Sequence, residues 1–401
     1  MNAAKERDYR LDFCRGLALL AIFIDHVPGN PLSNWTLRRF AFCDAAEVFV
    51  LISGMATYLA YGSRLERFGF QACAAAIGRR WLKLYGAHLL LLAILAVFIG
   101  VALPRFTAND YLGFMRMNWL FDRPREAIVA ALTLRFLPTY LDILPLYLML
   151  LAMAPALIWL VKRDWRIALA ASGAIYAAIQ WTGFNLSAGN DGSGWFFNPF
   201  AWQFLYTMGL VFGRFHANPP RIAWRKSSWL AAAAAFAVFG VIAAAPWTGS
   251  ETGFAFFNPP IYLWPANKTF LPPLRLLNVL ALWYLFVYFF PPQAAMVRGW
   301  FARPLLWCGQ HSLPIYGLGV FLSCAGYVAV NESAGAPAMH AAVNVAGIAI
   351  SLSAAAALEW RRRTATGRIA PAASSEPSRR SAGAWSFARV RAQPEPKQID
   401  G

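Results

Sequence analysis

The sequence contains little charge for its length. Asp, Glu, Lys and Arg make up 14% of its 401 residues, whereas a soluble domain carries about 25%, because its surface must face water. Ala, Val, Ile, Leu, Met, Phe, Trp, Tyr and Cys together make up 59%. This balance excludes an ordinary soluble enzyme and indicates a polytopic membrane protein.

Cysteine and histidine are also scarce, with five of each. The cysteines are scattered, without a C-x-x-C pair or a histidine at ligand spacing, which argues against a zinc site or a disulfide framework. We predict no metal site, and we expect no tightly bound cofactor. The N-terminus is charged and no small-residue cleavage site follows the first apolar run, so a cleavable signal peptide is not expected.

Long apolar runs are abundant. A helix needs about 20 apolar residues to cross a bilayer. Ten runs approach this length, at 12–28, 44–62, 81–103, 140–161, 166–182, 199–214, 228–246, 271–290, 304–330 and 338–358. Segment 124–137 instead predicts an amphipathic helix lying at the membrane interface. The sequence therefore predicts an all-α membrane bundle of about ten transmembrane helices within residues 1–360.

Basic residues are distributed unevenly over the loops between these runs. If the N-terminus is cytoplasmic, the loops and termini on that side hold 26 of the 36 Lys and Arg residues. The positive-inside rule then places both termini in the cytoplasm. The net charge of +17 thus reflects orientation in the bilayer, and no nucleic-acid partner is predicted. Residues 361–401 lack an apolar period and predict a disordered basic tail.

The predicted outer loops carry many aromatic residues among Asn, Gly, Ser and Thr. Examples are Trp119, Trp195, Phe196, Trp202, Trp247 and Trp264. Such residues form aromatic belts at membrane interfaces, and flat rings also pack against the C–H faces of sugars. Both interpretations stay open.

Ionisable residues inside apolar runs are functional candidates, because burying charge in a bilayer is costly. Arg15 and His26 are eleven residues apart in the first run. This spacing is almost three helical turns, so they share a face and lie about 16 Å apart. Asp12 is three residues before Arg15 and close enough to pair with it. Alternatively, Arg10 and Arg15 anchor the helix by reaching the interface.

Two acids enter the membrane at the same depth as Asp25 and His26. Asp44 and Glu47 share a helix face at i,i+3 spacing. Three acids beside one imidazole predict an acid/base site, with His26 moving the proton and a carboxylate fixing its tautomer. Asp25 points about 100° away from His26, so Asp44 or Glu47 is the expected orienting partner. In the alternative interpretation Asp44 is an N-cap and Glu47 completes a capping box.

The first two runs resemble the OpgC family, membrane proteins linked to succinylation of osmoregulated periplasmic glucans in proteobacteria. The resemblance is carried by RLDFCRGLALLAIFIDHVPGN (10–30) and RFAFCDAAEVFVLISGM (39–55). The Arg15-x10-His26 spacing is also similar to the signature of the type-3 membrane acyltransferase superfamily. Shorter segments extend the resemblance over the membrane region: LDILPLY (141–147), NPFAWQ (198–203), PPLRLLNVLAL (272–282) and GQHSLPIY (309–316).

The resemblance implies a multi-pass enzyme of the bacterial inner membrane. Such an enzyme transfers an acyl group from a cytosolic thioester, succinyl-CoA or another acyl-CoA, to a hydroxyl of a periplasmic glucan. His26 would act as general base, with Asp25, Asp44 and Glu47 setting its basicity. Basic residues near the cytoplasmic face would receive the coenzyme phosphates: Arg10, Arg15, Arg79, Arg80 and Lys83. We also expect substrate contacts from Asp12, His88, Trp119, Asp142, Trp202 and His311.

A second hypothesis comes from another functional class. The chain would be a proton-coupled transporter or flippase for a glycan or an anionic metabolite, with Asp25, Asp44 and Glu47 as proton-coupling groups. Many transporters are built from inverted repeats, and no internal repeat is visible here. The sequence leaves the oligomeric state open.

Overall fold

The computed structural model describes residues 8–102, 105–106, 110–189, 192–217, 226–244, 267–292 and 294–367. These residues are largely helical, and one isolated antiparallel bridge joins Ser187 to Gly194. The helices are α1 (Tyr9–His26), α2 (Leu37–Phe40), α3 (Ala45–Ala102), α4 (Tyr111–Phe114), α5 (Asn118–Asp122), α6 (Pro124–Leu132), α7 (Ile143–Arg163), α8 (Trp165–Thr182), α9 (Pro199–Ala217), α10 (Ser227–Ala244), α11 (Pro273–Phe289), α12 (Ala295–Arg298), α13 (Arg303–Gln310), α14 (Ser312–Glu332) and α15 (Pro337–Gly367). The predicted all-α class is confirmed.

Each predicted apolar run overlaps one of these helices, but two boundaries differ. The predicted loop between the second and third runs is helical, because 63–80 contains no proline and many good helix formers. Only Gly69 departs from helical geometry (φ 77°, ψ 178°), which bends α3. The ninth run is broken at His311 into α13 and α14. Pro314 has no backbone N–H to donate to the preceding turn, which explains the break.

Among the residues that the structure describes, four helices are long and apolar enough to cross a membrane. They are Ala45–Ala102, Ile143–Arg163, Ser312–Glu332 and Pro337–Ala365. Two shorter apolar helices cover Ser227–Ala243 and Pro273–Phe289. These helices support a membrane protein, while the number of ten crossings and the cytoplasmic position of both termini stay predictions. Residues 361–367 continue α15, and the rest of the predicted tail lies outside the described residues.

Helix α1 packs against α3, α13 and α14, and α3 packs closely against α9. A Cβ atom on Gly16 of α1 would overlap the Leu305 carbonyl, and one on Gly309 of α13 would overlap the Asp12 carbonyl. The two backbones therefore touch, which only small residues allow. This contact fixes the axis of α1, the helix that carries both Arg15 and His26.

Candidate functional site

A pocket of about 1070 Å³ opens at the C-terminal end of α1. We call it the His26 pocket. Its polar and charged lining includes Asp25, His26, Arg38, Arg39, Asp44, Arg116, Tyr140, Asp142, Lys268 and Arg275. Binding pockets for organic ligands are typically about 300–1,000 Å³, so this volume admits part of an oligosaccharide together with a reacting group.

His26 is the last residue of α1 and is half-buried in this pocket. Its ring packs against Tyr140, with 4.5 Å between ring centroids and 34° between the planes. Its Nδ1 atom is buried and has no hydrogen-bond partner. The predicted hydrogen bond from His26 to Asp44 or Glu47 is therefore not made through Nδ1, and the ring instead contacts Tyr140.

Asp44 and Glu47 instead form the capping box of α3. Asp44 Oδ1 accepts from the Ala46 N–H at 2.9 Å, and Glu47 Oε2 accepts from the Asp44 N–H at 2.9 Å. This reciprocal pattern is the alternative that the sequence left open, and it is confirmed. The capping box stabilises the start of α3. This structural role does not exclude a chemical role for Asp44, because Asp44 also lines the His26 pocket.

The same two carboxylates neutralise Arg275 of α11. Arg275 Nε donates to Glu47 Oε1 at 2.6 Å, and Arg275 Nη2 donates to Asp44 Oδ2 at 3.1 Å. Lys268 forms a further ion pair with Asp44. Asp44 therefore faces two positive charges, those of Lys268 and Arg275. Arg275 was not predicted as a site residue, although an arginine near the start of an apolar run is a signal of a functional position.

Asp25 and Asp142 are the other acids of the His26 pocket. Asp25 accepts a hydrogen bond from Thr36 Oγ1 at 2.7 Å, and Arg38 donates to its backbone carbonyl at 3.3 Å. Asp142 precedes α7, and its Oδ1 is buried without a hydrogen-bond partner. Asp142 is therefore an acid of this pocket with one buried carboxyl oxygen that no protein group among the described residues satisfies.

The turn after His26 is held by a pair of amides. Asn30 Nδ2 donates to Asn344 Oδ1 at 2.9 Å, and Asn344 Nδ2 donates back to Asn30 Oδ1 at 2.8 Å. Asn30 also donates to the Ile24 carbonyl at 2.9 Å. These bonds tie the end of α1 to α15, and nothing in the local sequence signals a partner so distant along the chain.

A second pocket of about 330 Å³ surrounds Arg15, and we call it the Arg15 pocket. Arg80 of α3 also lines it. Its hydroxyl groups come from Ser53, Thr57, Tyr61, Tyr147, Ser312 and Tyr316. Asp12 lies 3.9 Å from Arg15, so the predicted pairing of these two residues is confirmed. Ile143 and Tyr316 line both pockets, which therefore share a wall.

Several predicted substrate residues line neither pocket. Arg10 is paired with Asp8 and donates to the Phe290 carbonyl at 3.0 Å. Burial would raise the pKa of Asp8, but its hydrogen bonds and the charge of Arg10 lower it. The others away from both pockets are Asp12, Arg79, Lys83, His88, Trp119, Trp202 and His311.

Some of these residues have clear structural partners. Trp202 is fully buried and donates to the Lys268 carbonyl at 3.0 Å, and His311 Nε2 lies 3.3 Å from Glu359. His88 is buried with neither ring nitrogen hydrogen-bonded. Their roles in substrate binding stay predictions. Trp247 and Trp264 lie outside the described residues.

No three His, Cys, Asp or Glu side chains in the described ranges lie close enough to hold a metal ion. A family model described as OpgC protein matches residues 7–363. No curated protein and no solved structure matches the chain. The match covers both pockets and every helix from α1 to α14.

Proposed function

The chain belongs to the OpgC family, whose members are linked to membrane acyl transfer in glucan modification, and from this premise we propose that it is a glucan O-succinyltransferase. The donor is a cytosolic CoA thioester, and the acceptor is a hydroxyl of a periplasmic glucan. The observation that carries the proposal is the pair of adjoining pockets, with Arg15 in one and His26 in the other.

The Arg15 pocket suits the donor. Arg15 and Arg80 supply two positive charges for the coenzyme phosphates, and the surrounding hydroxyls can hydrogen-bond to its polar arm. Arginine pairs with phosphate through two parallel N–H donors, which makes it well suited to this task. Since Arg15 and His26 are about 16 Å apart along α1, the thioester has to pass Ile143 and Tyr316 to reach His26.

The His26 pocket suits the acceptor and the acyl end of the donor. Phe196 and Phe197 line it and offer flat apolar faces to a sugar ring. Arg39 also lines it, and its Nε is buried without a hydrogen-bond partner. A succinyl group ends in a carboxylate, so we assign Arg39 as the residue that receives it.

His26 performs the proton transfer. A ring nitrogen takes the proton of the glucan hydroxyl as the oxygen attacks the thioester carbonyl. The C–O bond forms, the C–S bond breaks, and the coenzyme leaves as a thiolate that is then protonated. Neither Asp44 nor Glu47 is needed as a direct partner of the imidazole, because Tyr140 holds the ring in place.

The geometry favours this proposal over a proton-coupled transporter. Coupling groups must take up and release protons, whereas two of the three predicted coupling groups, Asp44 and Glu47, are each held by backbone N–H groups and by Arg275. Substrate movement by the purified protein without acyl transfer would favour the transporter instead.

The test uses purified protein in detergent with succinyl-CoA and a periplasmic glucan. We expect wild-type protein to form glucan succinate esters and His26→Gln to lose the activity by about 100-fold or more. The matched control is His216→Gln, since His216 lines neither pocket. Equal activity of His26→Gln and wild type would refute the role of His26.

A further inference from the structure

The wall between the two pockets contains Tyr316, which is hydrogen-bonded to a residue that contacts the catalytic histidine. Tyr316 of α14 is 4% exposed and lines both pockets. Its hydroxyl donates to the Tyr140 carbonyl at 2.8 Å. Tyr140 in turn packs its ring on His26.

The backbone of Tyr140 is strained. Its φ is 75°, a left-handed conformation that is unusual for a bulky residue and persists only where the surroundings hold it. The hydrogen bond from Tyr316 to the Tyr140 carbonyl is one such restraint. The edge-to-face contact between the Tyr140 and Phe114 rings, with centroids 6.1 Å apart, is another. Strain of this kind is concentrated at functional sites.

The orientation of His26 depends on this contact more than is usual for a catalytic histidine. A general base is normally held by a hydrogen bond to its second nitrogen, but His26 Nδ1 has no partner. The position of the Tyr140 ring therefore sets the position of the imidazole. Any shift of the Tyr140 backbone moves the group that takes the substrate proton.

We propose that Tyr316 is a positioning residue for acyl transfer, which acts by holding Tyr140 against His26 at the wall that the donor thioester must pass. This inference rests on the proposed function. Tyr316 itself transfers no proton and forms no bond to the substrate. A displacement of about 1 Å in a reacting group can cost about 100-fold in rate, so the hydroxyl of Tyr316 has a measurable effect on turnover without contacting the reacting atoms.

The decisive variant is Tyr316→Phe, which removes the hydroxyl and keeps the ring in the wall. In the purified protein we expect kcat to fall about 10- to 100-fold, with KM for succinyl-CoA and for glucan changed by less than about twofold. A role in stability alone would reduce the amount of folded protein and leave kcat per folded molecule unchanged. The matched control is Tyr85→Phe, because Tyr85 also donates to a backbone carbonyl, that of Leu132, at 2.8 Å.

A double-mutant cycle separates this coupling from any independent effect of Tyr316. In a Tyr140→Ala background, Tyr316→Phe should lower kcat by less than about twofold, because the two residues act in one chain. Full additivity of the two substitutions, or wild-type kcat in Tyr316→Phe, would overturn the inference and leave the proposed function standing. Failure of the wild-type protein to transfer succinate would overturn the proposed function and the inference with it.

Discussion

Replacing Arg275 by glutamine should destabilise the protein strongly. Arg275 is 5% exposed and Glu47 is 0% exposed, so the substitution leaves Asp44 and Glu47 as two adjacent buried carboxylates with Lys268 as their remaining basic partner among the described residues. Removing one partner of a buried ion pair typically costs about 3–5 kcal/mol. We expect the free energy of unfolding of Arg275→Gln to fall by about that amount.

The double variant Glu47→Gln with Arg275→Gln tests the electrostatic reason. It restores the balance of one acid, Asp44, against one base, Lys268, so it should regain about half or more of the lost stability. The control is Arg123→Gln, because Arg123 and Glu126 form an exposed pair with side chains 66% and 60% exposed. That substitution should cost about 0–1 kcal/mol.

The assay is equilibrium unfolding of the purified protein in mixed micelles. The reasoning is refuted if Arg275→Gln costs no more than Arg123→Gln, or if the double variant is less stable than Arg275→Gln alone.

Two further predictions follow from other contacts. Arg39→Gln should lower succinyl transfer roughly 10-fold relative to acetyl transfer in a competition assay, and an unchanged ratio would contradict the role of Arg39. Gly309→Ala should abolish folding or activity, because the added Cβ would overlap the Asp12 carbonyl. Gly86→Ala should be tolerated, because a Cβ at that position has no atom within 4 Å. Equal expression and activity of the two variants would contradict the packing of α1 on α13.

Features that depend on neighbouring residues were predictable from the sequence. Apolar runs located the helices, and the Asp44 to Glu47 spacing indicated the capping box that forms. The spacing of Arg15 and His26 placed them on one helix, and each lines a pocket. The family resemblance is confirmed by a match over residues 7–363.

Features that depend on distant residues were not predictable in the same way. Glu47 meets Arg275 across 228 positions of the chain, and no local pattern encodes that partner. Asp44 and Glu47 were expected beside His26 because all share one depth in the membrane, but their partner is the guanidinium of Arg275, which comes from a helix distant in the chain. The roles of Tyr140 and Tyr316 were also missed, because a left-handed backbone at a tyrosine has no sequence signature.

The central claim is that the donor enters at the Arg15 pocket and the acceptor at the His26 pocket, on opposite sides of the membrane. Proteoliposomes with protein in one known orientation test this claim directly, with succinyl-CoA on one side and glucan on the other. We predict glucan succinate only when succinyl-CoA is on the side of the N-terminus and glucan is opposite. Equal product with both substrates confined to one side, or none in either arrangement, would contradict the account.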